Sequence, residues 1–294
     1  MENSALKGTG VALVTPFHED RSIDLGALKA LLNKQIGHVN FFVLLGSTSE
    51  AATLSDDEKW ALVEFALAHI SKRAPVIVGE TSNDTNALVK RIGGFNFENI
   101  DGLLSAAPFY NKPSQKGIYE HFSAVANASP VPLILYNIPG RTGANIEADT
   151  ILQLANDFRN IVAVKESSGN IKQISKVIAN RPPGFKVFSG DDDMTLPLLA
   201  LGADGMVSVS TNAHPKPLKR MVDYALEGDF QSAREVHYNM LEMMDLLFAE
   251  GNPAGVKANL TAQGLIKNVL RLPLTPVSDA LYKKIEKKIA DIAD

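Results

Sequence analysis

The chain has no cysteine, which excludes disulfides, thiolate nucleophiles and cysteine-held metals; this composition favours a cytoplasmic location. Histidine is scarce as well. The six histidines stand apart, without the i, i+4 pair of a helical zinc site, and His121 reads as a structural residue on a helix. No apolar run approaches the ~20 residues that span a bilayer, and residues 1–7 lack the apolar centre of a secretion signal. Neither sign of charge dominates: 29 Lys and Arg against 33 Asp and Glu leave a net charge of −4, with no basic tail. Nucleic acid and membrane surfaces are therefore not expected partners. Glycines at 8 and 10 are followed by Leu13 where a dinucleotide fingerprint needs a third glycine. No P-loop and no Gly-x-Ser-x-Gly elbow occurs either.

What is present is a globular composition, 45% hydrophobic and 21% charged, able to bury a large core. Short apolar runs at 10–17, 41–45, 75–78, 102–107, 132–136, 161–165, 186–189 and 205–209 read as strands. Helix signals lie between them. Asp24 precedes the inward face Leu25, Leu28, Leu32 and Ile36; Ser55 and Glu58 form a capping box; further helices start near Asn83, Ser114, Asn170 and Pro215. Strand and helix alternate eight times, which predicts an α/β chain folded as a (β/α)8 TIM barrel over residues 1–227. A doubly wound open sheet is the alternative. Beyond Gly228 only helical patterns remain, a C-terminal helical extension over 228–294. There Met240, Met243 and Met244 read as core or interface, Asn252-Pro253 as the cap and first position of a helix, and Leu281, Ile285, Ile289 and Ile292 as the last inward face.

The active face of such a barrel is built from the loops after its strands, so polar strand ends are the candidates. They are Ser47, Thr48, Ser49 and Glu50 after the second run, Tyr110 after the fourth, Tyr136 and Arg141 at the fifth, and Lys165 ending the sixth. Asp191 to Asp193 follow the seventh, and Ser208, Ser210 and Thr211 the eighth. Lys165 has two readings. A lysine ending a buried strand either stretches its head group to water or serves as an amine nucleophile, since loss of hydration favours the neutral form that makes imines with ketones and aldehydes. Tyr136 and Tyr110 are either packing residues with wet hydroxyls or the proton relay an imine requires. The Ser47-Thr48 loop is an ordinary turn or a set of donors for a carboxylate. Arg141, in a Pro-Gly-Arg-Thr-Gly turn, is a surface residue or a carboxylate clamp. The aspartate run reads as solvated or helix-capping in preference to a cation site, because ligand positions beside it are lacking.

The ordered set Gly46-Ser-Thr-Ser-Glu50, Pro108-Phe-Tyr-Asn-Lys-Pro-Ser-Gln115, Leu135-Tyr-Asn-Ile-Pro-Gly-Arg-Thr-Gly143 and Val164-Lys-Glu-Ser-Ser-Gly-Asn170 resembles the dihydrodipicolinate synthase family. Ser189-Gly-Asp-Asp192, Val207-Ser-Val-Ser-Thr-Asn212 and Leu270-Arg-Leu-Pro-Leu-Thr-Pro276 extend the likeness over nearly the whole chain. That family lies within the lysine Schiff-base aldolases that include N-acetylneuraminate lyase. The resemblance implies a lyase of diaminopimelate and lysine biosynthesis that condenses pyruvate with L-aspartate 4-semialdehyde, with no metal or organic cofactor. It implies that Lys165 forms the imine, and that Tyr136, Thr48 and Tyr110 relay protons, Tyr110 reaching into a neighbouring subunit. Ser47 and Thr48 would hold the pyruvate carboxylate, the Val207 backbone would line the pocket, and Arg141 would bind the semialdehyde carboxylate. Sialic acid lyases lack the Arg-Thr-Gly turn, which favours the synthase over a lyase of 2-keto-3-deoxy acids, and the intact set Lys165, Tyr136 and Tyr110 argues against an inert keto-acid-binding barrel. A homotetramer built as a dimer of dimers is the implied assembly.

Two departures from the family pattern stand out. Ser49 replaces a usual glycine, so a positive φ there would strain or reshape the loop. Around the interface site of lysine-inhibited members, Asn83 matches, but Asp56 and Lys59 stand where histidines often occur, Ala87 replaces a glutamate and Phe109 a tyrosine. Weak or no inhibition by L-lysine is the expectation.

Overall fold

The computed structural model describes residues 6–292; of the segment 1–7 considered above as a possible leader, residues 1–5 lie outside the described part. Eight parallel strands close in chain order: β1 (Gly8–Ala12), β2 (Phe41–Leu44), β3 (Val76–Gly79), β4 (Gly102–Ala106), β5 (Leu133–Asn137), β6 (Ile161–Glu166), β7 (Lys186–Ser189) and β8 (Gly205–Ser208), with β8 pairing back to β1. The expected (β/α)8 barrel is therefore what forms, and the open sheet is excluded because no strand is left at an edge. Every strand residue except Lys186 is buried, since one face fills the barrel and the other lies under helices. Phe41, Ile77, Leu104, Ile134 and Phe188 fill the interior, where the Phe41 and Phe188 rings meet edge to face at 5.3 Å.

The last seam depends on Gly205. Its φ is +155°, and a Cβ there would sit 2.7 Å from the Gly8 nitrogen, so only glycine lets β8 come this close to β1. Asn212 closes the same seam, donating to Ala12 O at 2.7 Å and accepting from Val14 N at 3.0 Å.

Helix starts follow the local chemistry. Asp24, Ser114 and Asn170 each cap a helix through the side chain. Ser55 and Glu58 make the reciprocal capping box ahead of the Asp56–Ile70 helix. Four local expectations shift. The third helix runs Thr85–Gly94, because Asp84 and not Asn83 accepts from the amides of Asn86 and Ala87. Leu25, the first residue of its helix, is exposed instead of inward. The Ala254–Ala262 helix takes Pro253 as its cap, one position later than read, and the Asn252 side chain is used elsewhere. Ile292 falls beyond the last helix, Asp279–Ile289.

The C-terminal helices are seated on the barrel. Met240, Met243 and Met244 of the Phe230–Phe248 helix pack with Leu218 and Met221 of the Pro215–Glu227 helix. Val256 and Leu260 join the cluster that holds Val11 and Phe42 of β1 and β2. His121 is buried with Nδ1 2.9 Å from Thr85 Oγ1, and burial pulls its pKa down to about 4, in keeping with a structural residue. Among the described residues no helix is long and apolar enough to cross a membrane.

Candidate active site

Strand register puts the sixth-strand lysine inside the barrel. Ala106, Tyr136, Lys165 and Phe188 are successive partners across β4, β5, β6 and β7. Partners across a parallel sheet present side chains to the same face, and Ala106, Tyr136 and Phe188 belong to the interior cluster. Lys165 is 4% exposed and its Nζ lies 4.3 Å from the centroid of the Tyr136 ring. A snorkelling lysine would have its head group in water, so that reading is set aside. Room for the side chain comes from Gly190, just past β7, where a Cβ would lie 2.7 Å from Lys165 Cε and collide with Ser167 Oγ.

Three buried or half-buried carboxyls lie at or just past the ends of β6 and β7. Glu166, next to the lysine, accepts from Asn137 Nδ2 at 2.7 Å, Gln173 Nε2 at 3.1 Å and Ser168 Oγ at 2.6 Å; burial raises its pKa against these donors. Burial also raises Asp191 to about 6, with the Lys165 charge opposing and Asp193 and Asp192 adding to the rise. Asp192 is fully inside and accepts from the Ser210 amide at 2.7 Å and its hydroxyl at 2.5 Å. Its role is to hold the turn after β8, in line with a capping reading of the aspartate run.

The loop after β2 is a tight turn, Ser47–Ser49, followed by Glu50 at φ +56°. The strain considered for Ser49 does not arise. Ser49 sits within the turn, is not among the positive-φ residues, and donates its hydroxyl to Gly46 O at 2.7 Å; the left-handed residues of this loop are Leu45 and Glu50. Ser47 is exposed, Thr48 is buried, and Thr48 Oγ1 accepts from Asn252 Nδ2 at 3.0 Å. Arg141 lies on the short helix Pro139–Thr142 and donates from Nη2 to Asn252 O at 2.9 Å. Tyr110 has φ +75° and is 83% exposed, while its amide donates to Thr142 O at 3.3 Å and leans the loop after β4 onto the loop after β5.

A cavity of about 420 Å³ opens over these loops, lined by Ser47, Glu80, Phe109, Tyr136, Arg141 and Leu274 among others. The structure thus brings Ser47, Tyr136 and Arg141 to one chamber. Lys165, Thr48 and Val207 are buried and do not line it. Among the described residues no hydrogen bond joins the Tyr136 hydroxyl to Thr48 or Tyr110. Lys257 was not marked by any local pattern and Asn252 was read only as a helix cap, since each acts across more than two hundred residues, on Glu50 and on Thr48.

A closed eight-stranded parallel barrel with a buried amine at the carboxyl ends of its strands defines the class, an α/β-barrel lyase of the aldolase type. The chain belongs to the dihydrodipicolinate synthetase family, whose model matches residues 5–292. A 4-hydroxy-tetrahydrodipicolinate synthase of Parabacteroides distasonis is 46% identical over 294 residues, spanning 100% of this chain and 99% of that one. The crystal structure of dihydrodipicolinate synthase from Aquifex aeolicus superposes with a TM-score of 0.93 at 39% identity, covering 97% of each chain. A monomeric dihydrodipicolinate synthase variant superposes with a TM-score of 0.95 at 34% identity, covering 98% of this chain and 97% of that one.

Proposed function

We propose that the chain catalyses the 4-hydroxy-tetrahydrodipicolinate synthase reaction for which its relatives are named, with Lys165 as the imine-forming amine. The observation that carries the assignment of Lys165 is its burial inside the barrel with Nζ over the Tyr136 ring. The neutral amine adds to the ketone carbon of pyruvate, and loss of water gives the imine. Loss of a methyl proton gives the enamine, whose carbon attacks the aldehyde carbon of L-aspartate 4-semialdehyde. The amino group of that second substrate then adds to the imine carbon, closes the ring and expels Lys165. Each step moves a proton, and Tyr136, Thr48 and Tyr110 are the relay. Ser47 and Thr48 receive the pyruvate carboxylate, with the Val207 backbone lining the same pocket, and Arg141 receives the semialdehyde carboxylate.

Tyr110 serves this chemistry from a second copy of the chain. Its 83% exposure supports that reading, and the proposed assembly is a homotetramer made as a dimer of dimers. The cytoplasm is the proposed compartment, on the absence of cysteine. The test is reduction with borohydride in the presence of pyruvate, followed by peptide mapping. A pyruvyl adduct on Lys165 is expected; an adduct on another lysine, or none, overturns the assignment.

A further inference from the structure

Asn252 meets the proposed site at two points. Its side-chain amide donates to Thr48 Oγ1 at 3.0 Å, and its backbone oxygen accepts from Arg141 Nη2 at 2.9 Å. The residue is buried, and it belongs to the C-terminal extension, not to any strand or loop of the barrel. The direction of the first bond has a chemical consequence. An amide nitrogen only donates, so Thr48 Oγ1 must accept, and the single proton of the Thr48 hydroxyl is left to be donated away from Asn252. The opposite amide orientation is disfavoured. The Asn252 Oδ1 position has no partner, and turning the amide would put two N–H donors there in place of one acceptor, whereas an under-satisfied oxygen is the more tolerated case.

We propose that Asn252 is a positioning residue that sets the direction of the Thr48 proton, leaving it for the reacting atoms, while its backbone fixes one arm of the Arg141 guanidinium. The inference rests on the reading of Thr48 as part of the proton relay. It explains why a segment far outside the barrel ends against the catalytic loop. The Asn252 side chain donates to Thr48 instead of capping the Ala254–Ala262 helix, which starts without a side-chain cap.

A double-mutant cycle tests this. Asn252→Asp has nearly the same shape but presents a carboxylate, which takes the Thr48 proton and reverses the bond. Asn252→Ala removes the donor without adding charge. Both retain the backbone oxygen that holds Arg141. Expected is a fall in kcat of about 30- to 100-fold for Asn252→Asp and about tenfold for Asn252→Ala, with KM for the semialdehyde within about threefold of wild type. In a Thr48→Val background the same changes are expected to cost less than about threefold further, because the group they act through is already gone. Equal fold losses in both backgrounds, or no loss in either, overturn the proposal. The outcome separates from that of the parent reading: wild-type enzyme that fails to trap pyruvate at Lys165 defeats the function, whereas trapping with a multiplicative cycle defeats only the role of Asn252.

Discussion

Lys257 Nζ and Glu50 Oε1 lie 2.5 Å apart, and neither side chain reaches solvent. The pair joins the Ala254–Ala262 helix to the loop that carries Ser47 and Thr48. Lys257 also donates to Val269 O at 3.0 Å and lies 4.2 Å over the Phe17 ring, while the other Glu50 oxygen accepts the Arg271 amide at 2.9 Å. Burial pulls the Lys257 pKa down to about 8, against the attraction of Glu50. Removing one member of such a pair strands the other charge in the core, which costs about 3–5 kcal/mol. Lys257→Met is therefore expected to lower the unfolding free energy in urea by about that amount. The double variant with Glu50→Gln is expected to recover part of the loss. A Lys257→Met protein within about 1 kcal/mol of wild type contradicts the burial argument.

Arg141 is the specificity prediction. Its guanidinium lines the cavity and keeps further N–H donors beside the one given to Asn252 O. Charge-assisted bonds of this kind contribute about 1.5–3 kcal/mol, so Arg141→Ala is expected to lower kcat/KM for aspartate semialdehyde by about 10- to 100-fold. Borohydride trapping of pyruvate at Lys165 is expected to continue unchanged. Unimpaired use of the semialdehyde by this variant would point to a lyase acting on a longer 2-keto-3-deoxy acid.

The barrel was legible because its signals are local. Apolar runs such as Ile161-Val-Ala-Val164 alternate with helix-period segments, and the Ser55–Glu58 box marks its helix within four residues. Lys165 was visible as a charge ending a buried run. Other parts of the site were not, for a physical reason. The Asn252–Thr48 bond spans 204 residues and the Arg271–Glu50 bond 221, distances at which no periodicity or cap signature links two positions. Asn252 carried a local signal that misled, since Asn-Pro before an apolar stretch looks like a helix start. At Ser49 the concern came from residue type alone, and the left-handed conformation is carried by Leu45 and Glu50.

Tyr110 provides a test of shared sites. Its side chain is 83% exposed, and the proposed function has it serve the site of a second copy. Tyr110→Phe and Lys165→Ala proteins are each expected to be nearly inactive as homo-oligomers. Mixed after dissociation and reassembly, they form hybrid dimers in which one intact Lys165 faces one intact Tyr110. About a quarter of wild-type activity is then expected, because half of the dimers are hybrid and half of their sites are complete. No recovery on mixing would place Tyr110 in its own chain's site or outside the chemistry.

Lysine sensitivity follows from the charge near Lys59. Its Nζ lies 3.5 Å from Asp56 and 4.0 Å from Glu80, and it stands on the cavity wall. A cationic ligand there meets Lys59 with the neighbouring carboxylates already engaged, Asp56 by Lys59 and Glu80 by Lys59 and Arg91, and Ala87 supplies no further carboxylate for its ammonium. Steady-state rates titrated with L-lysine are expected to stay near the uninhibited value through the sub-millimolar range. Half-inhibition below a millimolar would show that the site is built from other groups.

Asp191 gives a pH dependence with a definite sign. Its carboxyl titrates near 6 in the folded chain against an ordinary value of 3.8, chiefly through burial, with Lys165 opposing the shift and Asp192 and Asp193 adding to it. Between these two values the folded state holds the proton more tightly than the unfolded state. Stability therefore falls as pH rises from about 4 to about 6, and above that the buried carboxylate is a constant penalty. Asparagine at this position carries no charge at any of these pH values. The shift corresponds to about 3 kcal/mol, and the partial solvent access of the side chain reduces this to about 1–2 kcal/mol. Asp191→Asn is accordingly expected to raise the urea-unfolding free energy by about that amount at pH 8, with the gain vanishing near pH 4. An equal gain at both pH values would mean that packing and not ionisation separates the two side chains, and a loss at pH 8 would mean that attraction to Lys165 outweighs the cost of burial.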